Sequence, residues 1–386
     1  MKKILLSTIA IASIATAGGL NDTTTYVNSD NSNAQIEALQ SQMADMQNKL
    51  TALENQKSEK VIPEAPKHKG TMVKSHVPVI KFSGTHYLGF VGNNSGGSKD
   101  YNFETRRNYF QAKAYFKENP KDYMRITLDT HDVAGDSQVR LKYAFLYLDN
   151  VLPNTGVELG QTHRPWIDYE EHNGWNYRSI SKTLVEDGRA ADLSNSADRG
   201  VDFKTKTPYF SSELGLFNGE GYHNQEDGNG LSKEWRLTAH VLGTGKKKAK
   251  KSLQYANISF LGQENTVSNK HGNQDLNWMG VHAVYNQPEF LLAAQYITVQ
   301  DGINSRKGKG YSVNGEYRFA KDWNAIGRYD SYKLDDNTLG TKVRTIAGIT
   351  YQYNDNVEFI ANYLGETGTK LQNRNDKVML TAAVEW

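Results

Sequence analysis

The stretch Lys377-Val378-Met379-Leu380-Thr381-Ala382-Ala383-Val384-Glu385-Trp386 decides how the rest of the chain is read. Val378, Leu380, Ala382, Val384 and Trp386 share one parity; Lys377, Met379, Thr381, Ala383 and Glu385 share the other. Successive side chains of a strand point to opposite faces, so this is a pleated strand with one apolar and one mixed face. The pattern recurs upstream. Tyr311, Val313, Gly315, Tyr317 and Phe319 oppose Ser312, Asn314, Glu316 and Arg318. Val201, Phe203 and Thr205 oppose Asp202, Lys204 and Lys206, and Val343, Ala347, Ile349, Tyr351 and Tyr353 oppose Arg344, Thr350 and Gln352.

Working outward, sixteen such segments begin near residues 80, 106, 121, 138, 155, 198, 210, 234, 252, 277, 289, 309, 323, 342, 357 and 376. Short connections (Glu118-Asn119-Pro120, Thr207-Pro208, Gln287-Pro288, Ala320-Lys321-Asp322, Asn354-Asp355-Asn356) alternate with longer polar ones at 92–105, 219–233, 262–276, 301–308, 333–341 and 365–375. Short turns on one side and long loops on the other predict an all-β fold, a 16-stranded antiparallel transmembrane β-barrel over 80–386. In hydrocarbon every backbone N–H and C=O must be paired within the protein, so a sheet there closes on itself. Lipid on one face and water on the other explain how a chain of mean hydropathy −0.67 can span a membrane. A soluble β-sandwich would bury both faces of its strands; here half of each strand is polar.

Composition agrees and excludes other classes. The 386 residues hold 33 Gly, 22 Tyr, 13 Phe and 6 Trp, which suits many turns and many half-wet aromatics. Trp235, Trp278, Trp323, Tyr351, Tyr353, Tyr363 and Trp386 near strand ends suit interfacial girdles. Forty-five basic against 43 acidic residues give +2, with no whole-chain signal for nucleic acid. Zero cysteines exclude a disulfide scaffold, a thiolate zinc site and a cysteine nucleophile. Ten histidines without ligand spacing and no Gly-x-Ser-x-Gly elbow leave no metal, cofactor or enzyme expected.

Met1-Lys2-Lys3, the apolar run from Ile4 to Ala15, and Ala15-Thr16-Ala17 predict a cleaved signal peptide over 1–17. A polar spacer (18–33) follows. Ile36, Leu39, Met43, Met46, Leu50 and Leu53 then form a heptad seam within a helix over 34–57. So short a helix needs partners. Trimerisation is the expected role, and a helix resting on its own domain is the alternative. Residues 58–79, with Pro63, Pro66 and Pro78, form a linker.

A barrel of this strand count is too wide for side chains to fill and encloses water. Residues 164–197 are its third long loop and run to 34 residues, a length uncommon without a function. Folded inward, the loop would set the bore through Arg164, Trp166, Asp168, Glu170, Glu171, His172, Arg178, Lys182, Arg189 and Asp192; folded outward, it would have no effect on transport. Parity places Lys113, Arg125, Lys142, Lys204, Lys206, Arg236, Arg318, Arg328, Arg344 and Lys377 on the lumen wall as anion guides. Asp129, Glu158, Asp202, Glu213, Glu316, Asp330, Glu358 and Glu385 share it. Strong selection asks for a ring or file of one sign, and ten against eight is a thin excess. Lys246-Lys247-Lys248-Ala249-Lys250-Lys251 falls in a periplasmic turn, either an electrostatic trap at the exit or a solvated turn that never meets the pore.

Several ordered motifs carry a resemblance: Phe103-Glu104-Thr105-Arg106-Arg107, Tyr123 to Asp129, Leu141 to Tyr147, Gly160-Gln161-Thr162-His163-Arg164-Pro165-Trp166, Glu186-Asp187 and Asp198-Arg199-Gly200-Val201. Together they resemble the phosphate-selective porin O and P family. That resemblance implies a homotrimeric, anion-selective outer-membrane channel with a basic ladder leading phosphate to a constriction. Trp386 resembles the terminal aromatic read by barrel-assembly machinery. The expectation is therefore a porin of the Gram-negative outer membrane, in contact with outer-membrane lipid, passing small hydrophilic solutes and small inorganic or organic anions by diffusion. The residues alone leave open a non-selective or cation-preferring porin and a non-transporting adhesive barrel.

Overall fold

The structure is a computed structural model that describes residues 37, 40–49, 51–52, 79–133, 136–224, 230–268, 274–301, 306–336, 340–367 and 374–386. The signal peptide, the spacer, the linker up to residue 78 and Ile36, Leu39, Leu50 and Leu53 lie outside them, and Val79, expected to end the linker, begins the first strand. Residues 40–49 are helical, with Met43 and Met46 exposed and Lys49 bonded to Asp45 one turn earlier at 2.9 Å.

From residue 79 the chain alternates apolar and polar positions, and every such run is a strand. The strands are β1 (Val79–Ser95), β2 (Ser98–Tyr115), β3 (Tyr123–Val133), β4 (Asp136–Leu152), β5 (Thr155–His163), β6 (Ala197–Lys206), β7 (Phe210–Phe217) and β8 (Ser232–Leu242), followed by β9 (Tyr255–Ser268), β10 (Gln274–Gln287), β11 (Phe290–Asp301), β12 (Gly308–Ala320), β13 (Trp323–Leu334), β14 (Thr341–Asn354), β15 (Val357–Thr367) and β16 (Asn375–Glu385). Each pairs antiparallel with its neighbours in the chain, and β1 closes on β16 from Thr85↔Glu385 to Ser95↔Asn375. Closure removes the free edges that a membrane-spanning sheet cannot leave unpaired. At the seam Gly84 and Trp386 exchange both backbone bonds, at 2.9 and 3.1 Å, and the Trp386 indole donates to His86 at 3.0 Å.

The two faces separate as the alternation predicts. On β11, Leu291, Ala293, Gln295, Ile297 and Val299 are buried inward, while Leu292 and Tyr296 face out. On β16, Met379 and Thr381 face in, with Val378 and Leu380 outward.

Three expectations are corrected. Residues 92–105 are not a loop: β1 and β2 continue as a hairpin to Ser95↔Ser98, closed by Gly96 (φ 59) and Gly97 (φ 92). Two positive φ values are what a tight hairpin turn requires, and glycine supplies them without steric cost. Likewise β9 runs to Ser268 and β10 starts at Gln274, so most of 262–276 is strand. Above a membrane both faces of a hairpin can be polar, so composition there imitates a loop. Trp278 is not in an outer girdle; it points inward, buried, and donates to Gln263 at 3.1 Å.

Two β-bulges alter the parity on the wall opposite the long loop. Tyr87 pairs with Arg107 and Leu88 with Thr105, which makes Arg106 the extra residue of β2. Thr127 pairs with Tyr143 and Leu128 with Leu141, which makes Lys142 the extra residue of β4. A bulge puts two consecutive side chains where alternation allows one.

Candidate pore constriction

The connection after β5 folds into the barrel. Its neck is closed by Arg164 N–H donating to Ser196 O at 3.4 Å. Arg164 Nε donates to Glu234 at 2.8 Å and its Nη2 to Gln263 at 3.0 Å, which fixes the entrance of the loop to β8 and β9. A helical turn, Ile167–Asn173, follows and ends at Gly174, where a Cβ would stand 2.9 Å from His282 Nε2.

Apolar packing decides where the loop lies. Trp166, Tyr169, Leu184, Val185 and Leu193 pack on Leu261, Leu276, Trp278, Ile297, Val299, Tyr332 and Leu334 of β9 to β13. Trp175, Tyr177 and Ile180 pack on Ile326, Ile346, Ile360, Leu364 and Met379, with Val91 of β1. One half of the barrel wall therefore carries inward hydrophobes, and the loop covers them. Removing that area from water holds the loop down at roughly 1.5–3 kcal/mol per large side chain.

Polar anchors finish the seat. Arg344 Nε lies 2.7 Å from Asp330, and its other nitrogens bond Asp187 and, at 3.0 Å, Lys182 O. Asn314 donates to Gly174 O at 2.8 Å, the Tyr255 hydroxyl to Asn173 O at 3.0 Å and Lys342 to Ala190 O at 2.8 Å. Arg236 donates to Pro165 O at 3.2 Å and to Glu213 at 2.8 Å; Arg328 lies 3.7 Å from Glu170 and 2.9 Å from Asp330. Three of the ten expected anion guides, Arg236, Arg328 and Arg344, thus lie under the loop and hold it. Parity found their face but gave no sign of what covers it.

The wall from β1 to β5 stays open. Between it and the loop is a cavity of about 350 Å³ whose lining includes Tyr109, Arg125, Lys142, Asp168, Glu171 and Arg178. Arg125 contacts His163 at 3.0 Å and lies over Tyr143 at 4.6 Å. Lys142 donates to the Tyr109 hydroxyl at 2.9 Å. Arg107 and Arg140 converge on Asp129 at 3.1 and 2.9 Å. Arg106 pairs with Glu104 at 2.9 Å and reaches Ser179 O of the loop at 3.0 Å. Arg106, Arg107 and Arg140 were absent from the expected set. Counting parity back from Lys113 through Gln111 and Tyr109 reaches Arg107, but a bulge at Arg106 leaves no trace in residue type.

The loop offers the opposite sign. Arg178 is held by Glu171 and, at 2.9 Å, Glu186. Asp168 lies 3.8 Å from His163 and 3.7 Å from His172. Burial alone would raise its carboxyl, but the neighbouring His163, His172, Lys204 and Arg125 outweigh that and hold it well below the usual carboxylate range. Glu170 behaves the other way: burial pushes it up to about 7 against the pull of Arg328. Lys182 pairs with Glu186 at 3.5 Å, and Arg189 with Glu366. On the open wall Arg106, Arg107, Arg125, Arg140 and Lys142 stand with Glu104, Asp129 and Glu158, and Glu385 of β16 also lines the cavity, whereas the loop brings Asp168, Glu171 and Glu186 against Arg178 and Lys182. The two sides carry opposite excess charge.

The remaining expected lumen residues are dispersed. Lys113 sits over Tyr123 at 4.8 Å. Lys204 lies among Glu158, Asp202 and Glu213 at 3.2, 3.6 and 3.5 Å. Arg318 is paired with Glu316 at 2.8 Å. Lys206 ends β6 at the short-turn rim, and Lys377 lies near the opposite end of β16. The turn between β8 and β9, which carries the lysine run, also bends into the lumen. Asn286 donates to Leu253 O at 2.5 Å, and Lys251 lies 3.2 Å from Glu316 and 3.7 Å from Glu358.

No protein-family model matches the sequence, and no curated protein matches it. Solved structures do. The anion-selective porin from Comamonas acidovorans superposes with a TM-score of 0.60 at 11% identity, over 80% of this chain and 99% of that one. A Salmonella typhi OmpF complex with daunomycin gives 0.58 at 12% identity, over 81% and 98%. The trimer form of in-vitro folded OmpT, an outer membrane protein of Vibrio cholerae, gives 0.56 at 12% identity, over 80% and 100%. At such identities the likeness is one of fold.

Proposed function

We propose that this chain is an outer-membrane porin, a water-filled channel that passes small hydrophilic solutes by diffusion past the inward-folded loop, with a weak preference for anions. The observation that carries this is the sorting of charge across the cavity. A basic wall facing an acidic loop sets up a transverse field in a low-dielectric surround, which orients dipolar solutes without trapping them. The preference is weak because the signs nearly cancel. It favours anions because Glu104, Asp129 and Glu186 are spent on arginine partners, while Arg125 and Lys142 lean on His163 and Tyr109 and pair with no carboxylate among the described residues. A phosphate-specific ladder, as the motif resemblance suggests, would need a continuous basic file, which this balance does not favour.

The wider reading follows from the same premise. The outward apolar bands sit in the outer membrane. The helix around residues 40–49, with exposed Met43 and Met46 on its seam, joins three copies, an arrangement supported by the trimer form of the Vibrio cholerae neighbour. Trp386, at the seam where the barrel closes, serves as the assembly signal.

Swelling of proteoliposomes in sugars of graded size tests the proposal. Fast swelling in small sugars that falls off with solute size is the expected result. Swelling no faster than protein-free vesicles for every solute would leave a closed, adhesive barrel as the reading.

A further inference from the structure

The β8–β9 connection is unlike the other short turns, because it enters the barrel. Ala249 and Leu253 pack on Tyr255, Val284, Leu291 and Ala293, all on the inner wall. Asn286 donates to the carbonyls of Lys250 (3.4 Å), Lys251 (3.3 Å) and Leu253 (2.5 Å), and Arg318 donates to Lys251 O at 3.3 Å. Lys251 carries the last link. Its ammonium lies near Glu316 and Glu358, 3.5 Å from the Tyr177 hydroxyl and 5.3 Å from the centre of that ring. Tyr177 belongs to the constriction loop, so the two inward segments touch. Lys246, Lys247, Lys248 and Lys250 remain exposed, and Lys248 is close enough to Lys113 for the two charges to repel.

We propose that residues 243–254 form a second, cationic narrowing at the short-turn end of the lumen, latched by Lys251, and that it makes ion flow depend on direction. The inference rests on the channel reading above and adds an element which that reading does not need. A fixed positive cluster at one mouth raises the local anion concentration there and not at the other. Anion current entering from the lysine end is therefore larger than current entering from the loop end at the same driving force. Lys251 itself is a tether, its charge matched by two carboxylates, and the remaining four lysines supply the field.

The absence of cysteine makes the test clean. Single channels of the full chain are recorded in symmetrical KCl at equal and opposite voltages, for the wild type and for Lys248→Cys. The variant is then treated from one chamber with sulfonatoethyl methanethiosulfonate, which leaves a negative charge on the new side chain. The expected result is an unequal wild-type current and a ratio that falls toward one on modification, from the lysine-end chamber only. Lys251→Met, which frees the turn without removing the four lysines, is expected to lower the same ratio and add open-channel noise. Equal wild-type currents overturn the proposal. So does a ratio that modification leaves unchanged, and an unchanged ratio and noise in Lys251→Met overturns the latch. A wild type that carries no current at all overturns the channel reading instead.

Discussion

Arg344 on β14 and Asp187 in the long loop are joined side chain to side chain, while the same guanidinium reaches Asp330 on β13 with its Nε at 2.7 Å. One arginine thus binds a loop carboxylate to a wall carboxylate. In a space from which water is largely excluded, neither acid is left unpaired while Arg344 is present.

Arg344→Met removes that joint and takes the guanidinium from Asp187, while Asp330 keeps Arg328 at 2.9 Å. Breaking a buried pair from one side costs about 3–5 kcal/mol locally, enough to loosen a loop without opening the barrel. Frequent current closures and a noisier open level are expected in single-channel records. Traces as quiet as wild type would show that the apolar seat alone suffices.

Neutralising the open wall acts differently. Lys142 lines the cavity and Arg107 reaches its lining residue Tyr109 at 3.1 Å, both away from the apolar back of the loop, so their removal leaves the seat intact. For Arg107→Gln with Lys142→Gln, the reversal potential in a KCl gradient is expected to move toward the potassium potential, with unitary current changed by less than about two-fold. No shift would place the ion path elsewhere in the lumen.

Much of this was legible in the residues. A period of two runs through the strands because one face points outward and is apolar while the other points into the barrel, and sixteen strands were countable for that reason. The length of 164–197 announced a segment with a task. What was not legible has physical causes. Arg106 sits at a bulge, whose extra residue has no compositional mark, and Lys142, which parity does place on the lumen wall, carries no sign of the bulge that holds it. An inward Trp278 reads as an interfacial aromatic, and an inward Ile297 gives no sign of its direction, until the loop that covers them is in place. The tip of the hairpin, from Asn93 to Asp100, is polar on both faces and so imitates a loop.

Gly160 adopts a conformation that residues with a side chain avoid. Its φ is +128, and a Cβ there would lie against the Ala144 carbonyl oxygen and 3.0 Å from Phe145 Cα. Gly160→Ala is expected to destabilise the β4–β5 pairing by about 1–3 kcal/mol. A lower denaturant midpoint in detergent checks this, and an unchanged midpoint would mean that β5 shifts to accept the methyl.

The loop seat depends on pH through Glu170. That carboxyl accepts from the Trp166 indole at 2.8 Å and faces Arg328, with Asp330 and Arg344 also within electrostatic range. Its value rises from 4.5 to about 7, so the folded seat binds its proton more tightly than the released loop does. The stabilisation is full below 4.5 and is lost as pH climbs through 7, by at most roughly 3 kcal/mol. Closures are expected to be rarer at about pH 5 than at about pH 8, and Glu170→Gln to abolish the difference. The same dependence in the variant would assign it to another group.

The most direct measurement is the current through single purified barrels in a planar bilayer under a KCl gradient. A loop-narrowed, wet lumen with a basic open wall predicts discrete steps that scale with voltage and a reversal potential on the chloride side of zero. A silent bilayer would contradict the channel, and steps reversing firmly on the potassium side would contradict the charge sorting from which the anion preference is argued.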